Sequence, residues 1–415
     1  MLQSHDLNLR HLFAAVTIAH IGNISRAVEA IHISQPALTH AISKLELQLG
    51  DRLFERRNHG VETTKAGKLF LAHAEDGLTC LANAAQQLRQ SMKLKPLAAP
   101  ELHITSTHLR AFLAVLRTGG YSSAANELGF SQPSIYRAVR ELQSFLDVVL
   151  FQASGKLIRA TEPAEKFGVQ AQLALVSIQS GIDELVALRE PGFGRIQVGS
   201  LPLARSALLP NLLATFSGLH KKLSITVSEG QYSELIGRLR NGTIDMVFGA
   251  LRTDFGFPDL EQQALFTDDL CVVCRVGHPL TIMPPDPTVL ANYPWIVAAE
   301  QSPTLAIWTQ FMETSGGGLP SQRVQCGSIL LARELIRHGD WLALMSPHQF
   351  RLEEECGVLT RLDLKVPGST RPIGLTLRKQ WRPTSIQQRF LVMAEDMARP
   401  LSNPREENKR GGPAC

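Results

Sequence analysis

The chain has 415 residues, too many for one ordinary domain and enough for two to four. An apolar fraction of 44% and a charged fraction of 19% exclude a disordered chain and describe a globular protein with ample core. A formal charge of +4 permits nucleic acid as a partner without demanding it. The first residues, Met1 to Asp6, lack a basic segment followed by an apolar run, so no signal peptide is expected. No uninterrupted apolar stretch of about 18 residues offers a membrane span, and a cytoplasmic protein is expected. Cysteines at 80, 271, 274, 326, 356 and 415 are spread thinly, which fits a reducing compartment. Cys271 and Cys274 lie in a strand-like run, where positions three apart face opposite sides. They are expected to pack in the core. No metal and no cofactor are expected.

In chain order, residues 9–19 carry helical apolar spacing through Leu9, Leu12, Phe13 and Val16. Gly22-Asn23 ends that helix, and Ser25 is the expected cap of a short second helix burying Ala27, Val28 and Ile31. Ser34 caps a third helix with Pro36 in its first turn, where a missing N–H costs nothing. Leu38, Ile42, Leu45 and Leu49 form its buried stripe, leaving Gln35, Ala37, Thr39, His40, Ser43 and Lys44 outside. Two short helices around a tight turn, the second rich in exposed amides and hydroxyls, follow the helix-turn-helix plan. Gln35 can pair bidentately with adenine, Thr39 offers a hydroxyl or a methyl, and Lys44 can meet phosphate. Residues 53–64 then predict a hairpin wing with Arg56 and Arg57 at its base. Thr64 is placed to cap a long helix over about 65–93, with Leu69, Leu71, Leu78, Leu81, Ala85 and Leu88 inward.

Ser34-Gln35-Pro36-Ala37-Leu38-Thr39, followed by Leu53-Phe54-Glu55-Arg56 and Thr64-Lys65-Ala66-Gly67, resembles the winged helix-turn-helix of LysR-type transcriptional regulators. The resemblance implies double-stranded DNA contact by Ser34, Gln35, Pro36, Thr39, His40, Lys44, Arg56 and Arg57. It also implies that the long linker helix pairs with that of a second subunit.

After a Pro/Ala linker (Lys93 to Pro100) the pattern restarts. Ser34, Leu53-Phe54 and Thr64 recur as Ser131, Leu150-Phe151 and Thr161, each 97 residues on. Phe13 and Val16 match Phe112 and Val115 at a displacement of 99, which predicts two extra residues in the first copy's turn. Such a repeat departs from the family, which normally has one such domain. The second copy keeps Gln132, Pro133 and Ser134 and carries Arg137 where the first has His40, while Tyr136 replaces Thr39. Arg56 and Arg57 become Ala153 and Ser154, which predicts a wing short of about two phosphate contacts. Gln132, Ser134, Arg137 and Arg140 favour DNA contact by this copy as well. The alternative, a degenerate structural or assembly module, stays open. A second long helix is expected over about 164–188.

Pro191-Gly192-Phe193-Gly194 reads as a hinge. Beyond it, strands at 195–200, 223–228 and 244–249 alternate with helices at 204–216 and 232–240, which predicts a parallel sheet covered on both faces. Residues 267–280 lead to a second lobe of strands 294–298, 322–326 and 341–346 with helices 303–314 and 328–338. Strand 371–378 and a helix over 384–397 close the first lobe. Gly-Thr-Ile-Asp-Met-Val-Phe-Gly (242–249) and Gly-His-Pro-Leu (277–280) are similar to signatures of the LysR effector domain, which resembles the periplasmic-binding-protein fold. Segments 202–206, 229–232 and 249–252 look most like the branch containing the galactose-binding-protein regulator.

The expected architecture is therefore multidomain. Two α-rich winged helix-turn-helix domains (7–64 and 106–162), each with a linker helix (65–93 and 163–190), precede a two-lobed α/β effector domain (194–398) and a flexible tail (399–415). Ligands of such folds lie at strand C-termini and helix N-termini. Ser200, Leu201, Pro202, Arg205, Gly249, Ala250, Ser302, Thr304, Met345 and Ser346 are the expected effector contacts, with Arg205 suited to a carboxylate. The effector is expected to be a sugar or small carboxylic acid acting as co-inducer. The other expected partners are a second copy of the chain, as homodimer or homotetramer, and RNA polymerase, with no membrane. No HExxH, GxSxG or phosphate-binding loop supports an enzyme, and two DNA-binding copies argue against a stand-alone solute-binding protein.

Overall fold

The structure is a computed structural model that describes residues 2–57, 60–154, 157–204, 206, 208–253, 255–282, 286–300 and 302–402. The first copy runs α1 (Leu9–Ile21), α2 (Ile24–Ile31), α3 (Gln35–Leu49), β1 (Phe54–Arg57), β2 (Gly60–Thr63) and α4 (Lys65–Ser91). The second runs α5 (Ser106–Thr118), α6 (Tyr121–Leu128), α7 (Gln132–Leu146), β3 (Phe151–Ser154), β4 (Leu157–Ala160) and α8 (Glu162–Arg189). Each element of the second copy begins 97 residues after its counterpart. The two extra residues expected in the first turn do not exist: α1 and α5 both span 13 residues and end on left-handed Gly22 and Gly119, again 97 apart. Matching Phe13 to Phe112 by residue type had misaligned the faces, because the buried position equivalent to Phe112 is Ala15.

Helix ends follow local chemistry. Asn23, not Ser25, caps α2 by accepting from Arg26 N. Val28 and Ile31 are only half-buried there, while Ala27 is buried. Thr64 accepts from Gly67 N at 2.9 Å and caps α4. In α3 the inward residues are Leu38, Ala41, Leu45 and Leu49, with Ile42 half-buried. Leu69 of α4 is likewise half-buried, and Phe70 takes the inward place.

The linker helix does not wait for a second subunit. α4 packs antiparallel along α8 of the same chain. A single apolar cluster runs through both copies, from Leu9, Leu45 and Leu53 through Phe70 and Leu81 to Phe112, Leu142, Phe167, Ile178 and Leu185. By length and apolarity α8 is the one described helix that could cross a bilayer, yet its apolar stripe is occupied by α4.

The third region forms two lobes. Lobe one has β5 (Gly194–Ser200), α9 (Leu209–Leu219), β6 (Leu223–Glu229), α10 (Tyr232–Arg240), β7 (Met246–Ala250) and β8 (Leu260–Asp268). Lobe two has β9 (Cys271–Arg275), β10 (Trp295–Val297), α11 (Pro303–Thr314), β11 (Arg323–Gln325), α12 (Ile329–Arg337), β12 (Leu342–Met345), α13 (Arg351–Glu355) and β13 (Leu359–Arg361). The chain returns through β14 (Arg371–Arg378) and α14 (Ser385–Ala398). Sheet orders are β6-β5-β7-β14-β8 and β11-β10-β12-β9-β13. The parallel pairing expected holds for β6-β5-β7 and for β11-β10-β12. The crossover strands β14, β8, β9 and β13 pair antiparallel, so both sheets are mixed.

The expected hinge at 191–194 is a closed joint. Arg195 grips Asp183 of α8 at 2.7–2.9 Å, and Lys222 pairs with Glu190 at 3.0 Å. The Glu184 carboxylate accepts from the Ser385 hydroxyl and backbone at the start of α14. Lobe one is thereby docked on the linker helices. Arg399–Ser402 form a helical turn, and the rest of the expected tail lies outside the described residues.

Candidate DNA interface and effector cleft

The two recognition helices are built alike. Ser34 caps α3 through Ala37 N, and Ser131 caps α7 through Ser134 N, each at 3.4 Å. Glu46 Oε1 accepts from Leu53 N (2.7 Å) and Phe54 N (3.3 Å), which ties α3 to its wing. Gln143 Oε1 does the same for Leu150 N (2.9 Å) and Phe151 N (3.2 Å). Both helices therefore sit at a fixed angle to their hairpins. Ser34, Gln35, Pro36, Thr39, His40 and Lys44 are all exposed on one copy, and Gln132, Ser134, Arg137 and Arg140 on the other. Tyr136 stands among the latter, half exposed, edge-on to Tyr121 with ring centroids 5.2 Å apart. Lys44, Arg56, Arg137 and Arg140 form no ion pair among the described residues, so their charge is available to phosphate.

The wings reverse the sequence expectation. Arg57 is held by Glu55 (3.2 Å) and Glu62 (3.4 Å), so one of the two first-wing arginines is already neutralised. Residues 54–63 hold two arginines and two glutamates, a balance of zero, whereas 151–160 hold Lys156 and Arg159 and no acid, a balance of +2. Arg159 stands opposite Gln152 in the hairpin and is exposed. It occupies the place of Glu62, 97 residues earlier. The second wing has moved its cation to the returning strand. Inspecting only the positions of Arg56 and Arg57 could not show this, but a charge count over the whole hairpin could.

Between the lobes lies a cleft of about 780 Å³. Of the expected contacts, Leu201, Pro202, Ala250, Ser302, Thr304 and Met345 line it. Ser200 and Ser346 are fully buried instead. Ser346 caps the turn after β12 and donates to Asp268 Oδ1 at 2.6 Å. Gly249 lies behind Leu201, whose side chain would meet any Cβ there. Arg205 lies outside the described residues.

The sequence reading missed Arg371 and Arg252. Arg371, at the start of β14, is buried at the cleft floor. It donates to Asp268 Oδ2 (3.1 and 3.3 Å) and to Thr304 Oγ1 (2.8 Å), so one guanidinium joins both lobes. Burial pulls its pKa below the usual arginine value, and Asp268 opposes that pull. Arg252 lies over the Tyr232 ring at 4.1 Å, on the cleft's other wall. The first turns of α10, α11 and α12 all contribute to the lining, through Tyr232, Thr304 and Ile329 among others, so three helix N-termini point positive ends at one space. Two of the thiols are core residues. Cys271 and Cys274 belong to clusters on opposite faces of the second sheet, as the strand periodicity predicts, and burial pushes both up to about 12.

Comparison with known proteins places these parts. Residues 189–399 match the LysR substrate binding domain. Residues 9–68 and, separately, 106–165 match the bacterial regulatory helix-turn-helix protein of the lysR family. The HTH-type transcriptional regulator GalR of Pseudomonas putida is 28% identical over 377 residues, covering 89% of this chain and 92% of that protein. The regulator PcaQ of Agrobacterium fabrum is 25% identical over 280 residues, covering 67% and 89%. GbpR of Azospirillum brasilense is 24% identical over 292 residues, covering 69% of this chain and 84% of that one. Among solved structures, a full-length OxyR variant from Pseudomonas aeruginosa superimposes with a TM-score of 0.52 at 21% identity, over 72% of this chain and 96% of that one. The chain belongs to the LysR family: it is an effector-controlled DNA-binding transcriptional regulator, not an enzyme, with the family's DNA-binding domain present twice.

Proposed function

We propose that the effector is a small carboxylic acid with an apolar body, bound between the lobes, and that both recognition helices contact DNA. The observation that carries the effector class is the buried Arg371 guanidinium at the cleft floor with three helix N-termini opening on the same space, in a lining whose rim also holds Glu229, Glu234 and Glu300. A carboxylate there can pair with a guanidinium charge to charge, where a neutral sugar offers the arginine only hydroxyl acceptors. Ile296, Val297, Ile329, Ala332, Leu344 and Met345 supply the apolar wall. Burial holds Cys80, Cys271 and Cys274 as thiols, while half-buried Cys326 lies on the cleft wall itself. DNA contact by Gln35, Thr39, His40, Lys44 and Arg56, and by Gln132, Ser134, Arg137 and Arg140, is supported by their shared exposure beside matching caps. Regulation in a cytoplasmic setting then requires contact with RNA polymerase, altered when the lobes close. Association of whole chains into homodimers or homotetramers uses surfaces other than α4.

A thermal-shift series on the full chain tests the effector class. Small aliphatic and aromatic carboxylic acids raise the melting temperature and neutral sugars leave it unchanged. Thr304→Val removes the acceptor that holds the Arg371 guanidinium across the cleft at 2.8 Å and weakens the responding acid by about tenfold. A response to sugars alone contradicts the proposal.

A further inference from the structure

The two copies are related by a local twofold axis, visible in individual bonds. Cys80 Sγ donates to Gln170 O at 3.4 Å, and Ser177 Oγ donates to His73 O at 2.9 Å. Cys80 and Ser177 are 97 apart, as are His73 and Gln170. At the far ends, Arg89 of α4 donates to Leu146 O at the C-terminus of α7 (2.7 Å). Arg189 of α8 donates to Leu49 O at the C-terminus of α3 (3.1 Å). Leu49 and Leu146 are again equivalent. Each linker helix therefore crosses over and caps the recognition helix of the other copy. Along the helices this is the pattern of an isologous dimer, in which residue i meets j and j meets i, realised within one chain; at the ends, equivalent carbonyls are capped by inequivalent arginines, since Arg89 corresponds to Val186 and Arg189 to Met92. The connector between the copies is itself folded back: Gln86 and Arg89 bind the backbone of Leu97 and Lys95.

Pairing in one chain does not depend on protein concentration, because the second copy is always present at high effective concentration. It also releases the two copies from identity. Across the equivalent recognition positions, Thr39, His40, Ser43 and Lys44 face Tyr136, Arg137, Arg140 and Glu141. Two identical heads about a dyad read a palindrome. These two heads carry different hydrogen-bonding groups at four exposed positions, including a lysine in one where the other has a glutamate.

We infer that one chain is a complete two-headed DNA reader whose Ser34 and Ser131 helices occupy the two unlike halves of a non-palindromic operator. This rests on the reading that both exposed faces touch DNA. The operator then has a direction, and one chain binds it in one orientation only.

Selection of binding sites from random duplexes with the full-length chain, followed by hydroxyl-radical footprinting, tests this. The expected consensus has two dissimilar halves. Gln35→Ala with Lys44→Ala weakens binding about tenfold to a hundredfold and removes protection from one half. Arg137→Ala with Arg140→Ala removes protection from the other. All four residues are exposed, so folding is not at risk, and an unchanged melting temperature verifies it. A palindromic consensus overturns the inference while leaving DNA contact intact. So does loss of both halves with the first pair and of neither with the second, which would mean that first-copy heads from two chains occupy the site. Selection of no duplex at all overturns both readings.

Discussion

His73 sits in α4 against α8, 3% exposed, with Nδ1 unpaired. Burial drives its pKa down to about 4, helped by Arg382 and opposed by Asp76. The unfolded chain takes up a proton near pH 6.5, which the folded chain refuses until about pH 4. Stability is thus fully present above 6.5 and falls as pH drops toward 4, by at most about 3 kcal/mol. The equivalent residue in the second copy is Gln170, which does not titrate. His73→Gln should therefore flatten the pH dependence of chemical denaturation between pH 7 and 4. An unchanged slope would place the titration elsewhere. A second prediction concerns the first wing. Glu62→Gln frees Arg57 from one of its two acids and should raise DNA affinity while steepening the logarithmic salt dependence by about 1; a flatter slope in salt titrations by fluorescence anisotropy would count against it. At this scale the sequence revealed caps and exposed hydroxyls well, since both are local. It did not reveal that Arg57 is neutralised, because the partners lie on two strands. Nor did it reveal Arg371, whose place at the cleft floor depends on the last crossover of the chain.

The element that makes the heads one body is the α4–α8 pair. Gly77 is a point of close approach: a Cβ there would stand 2.7 Å from Ala174 O and 2.9 Å from Ile178 Cγ1. Gly181 makes the reciprocal approach to Phe70 O and His73. Gly77→Leu should push the helices apart and lower stability by roughly 1–3 kcal/mol or more, measured by urea denaturation. A neutral effect would mean that the helices are not packed as described. The apolar stripes of both helices were legible in the sequence, but their mutual partnership was not. A stripe states that a helix needs a partner and leaves open whose helix it is. The strand β8 was missed for a different reason. Its Glu261, Gln262 and Gln263 lie on an edge strand, where periodicity is weak.

In the whole molecule, lobe one is fastened to the linker helices through Asp183–Arg195, Glu184–Ser385 and Asp76–Arg382 (2.6 Å). Lobe two reaches the rest through the β8–β9 and β13–β14 crossovers. Arg371 with Asp268, Ser346 and Thr304 sits between the lobes. The proposed closure on an effector would therefore move lobe two against a base fixed to the DNA-binding half by Asp183–Arg195, Glu184–Ser385 and Asp76–Arg382. Asp76→Asn should reduce the effect of the responding acid on DNA affinity with little change in effector affinity, since the pair is exposed and far from the cleft. Equal loss of both would contradict that route.

α4 and α8 of the same chain form the pair, rather than exchanging between chains as a swapped dimer. The direct measurement is a pulsed electron–electron distance between spin labels at Thr79→Cys on α4 and Gln172→Cys on α8, in a chain whose Cys326, Cys356 and Cys415 are serine. The doubly labelled chain is refolded with a tenfold excess of unlabelled chain. Retention of a single short distance at full amplitude is the predicted result. Its disappearance on dilution with unlabelled chain would mean that the helices exchange between chains.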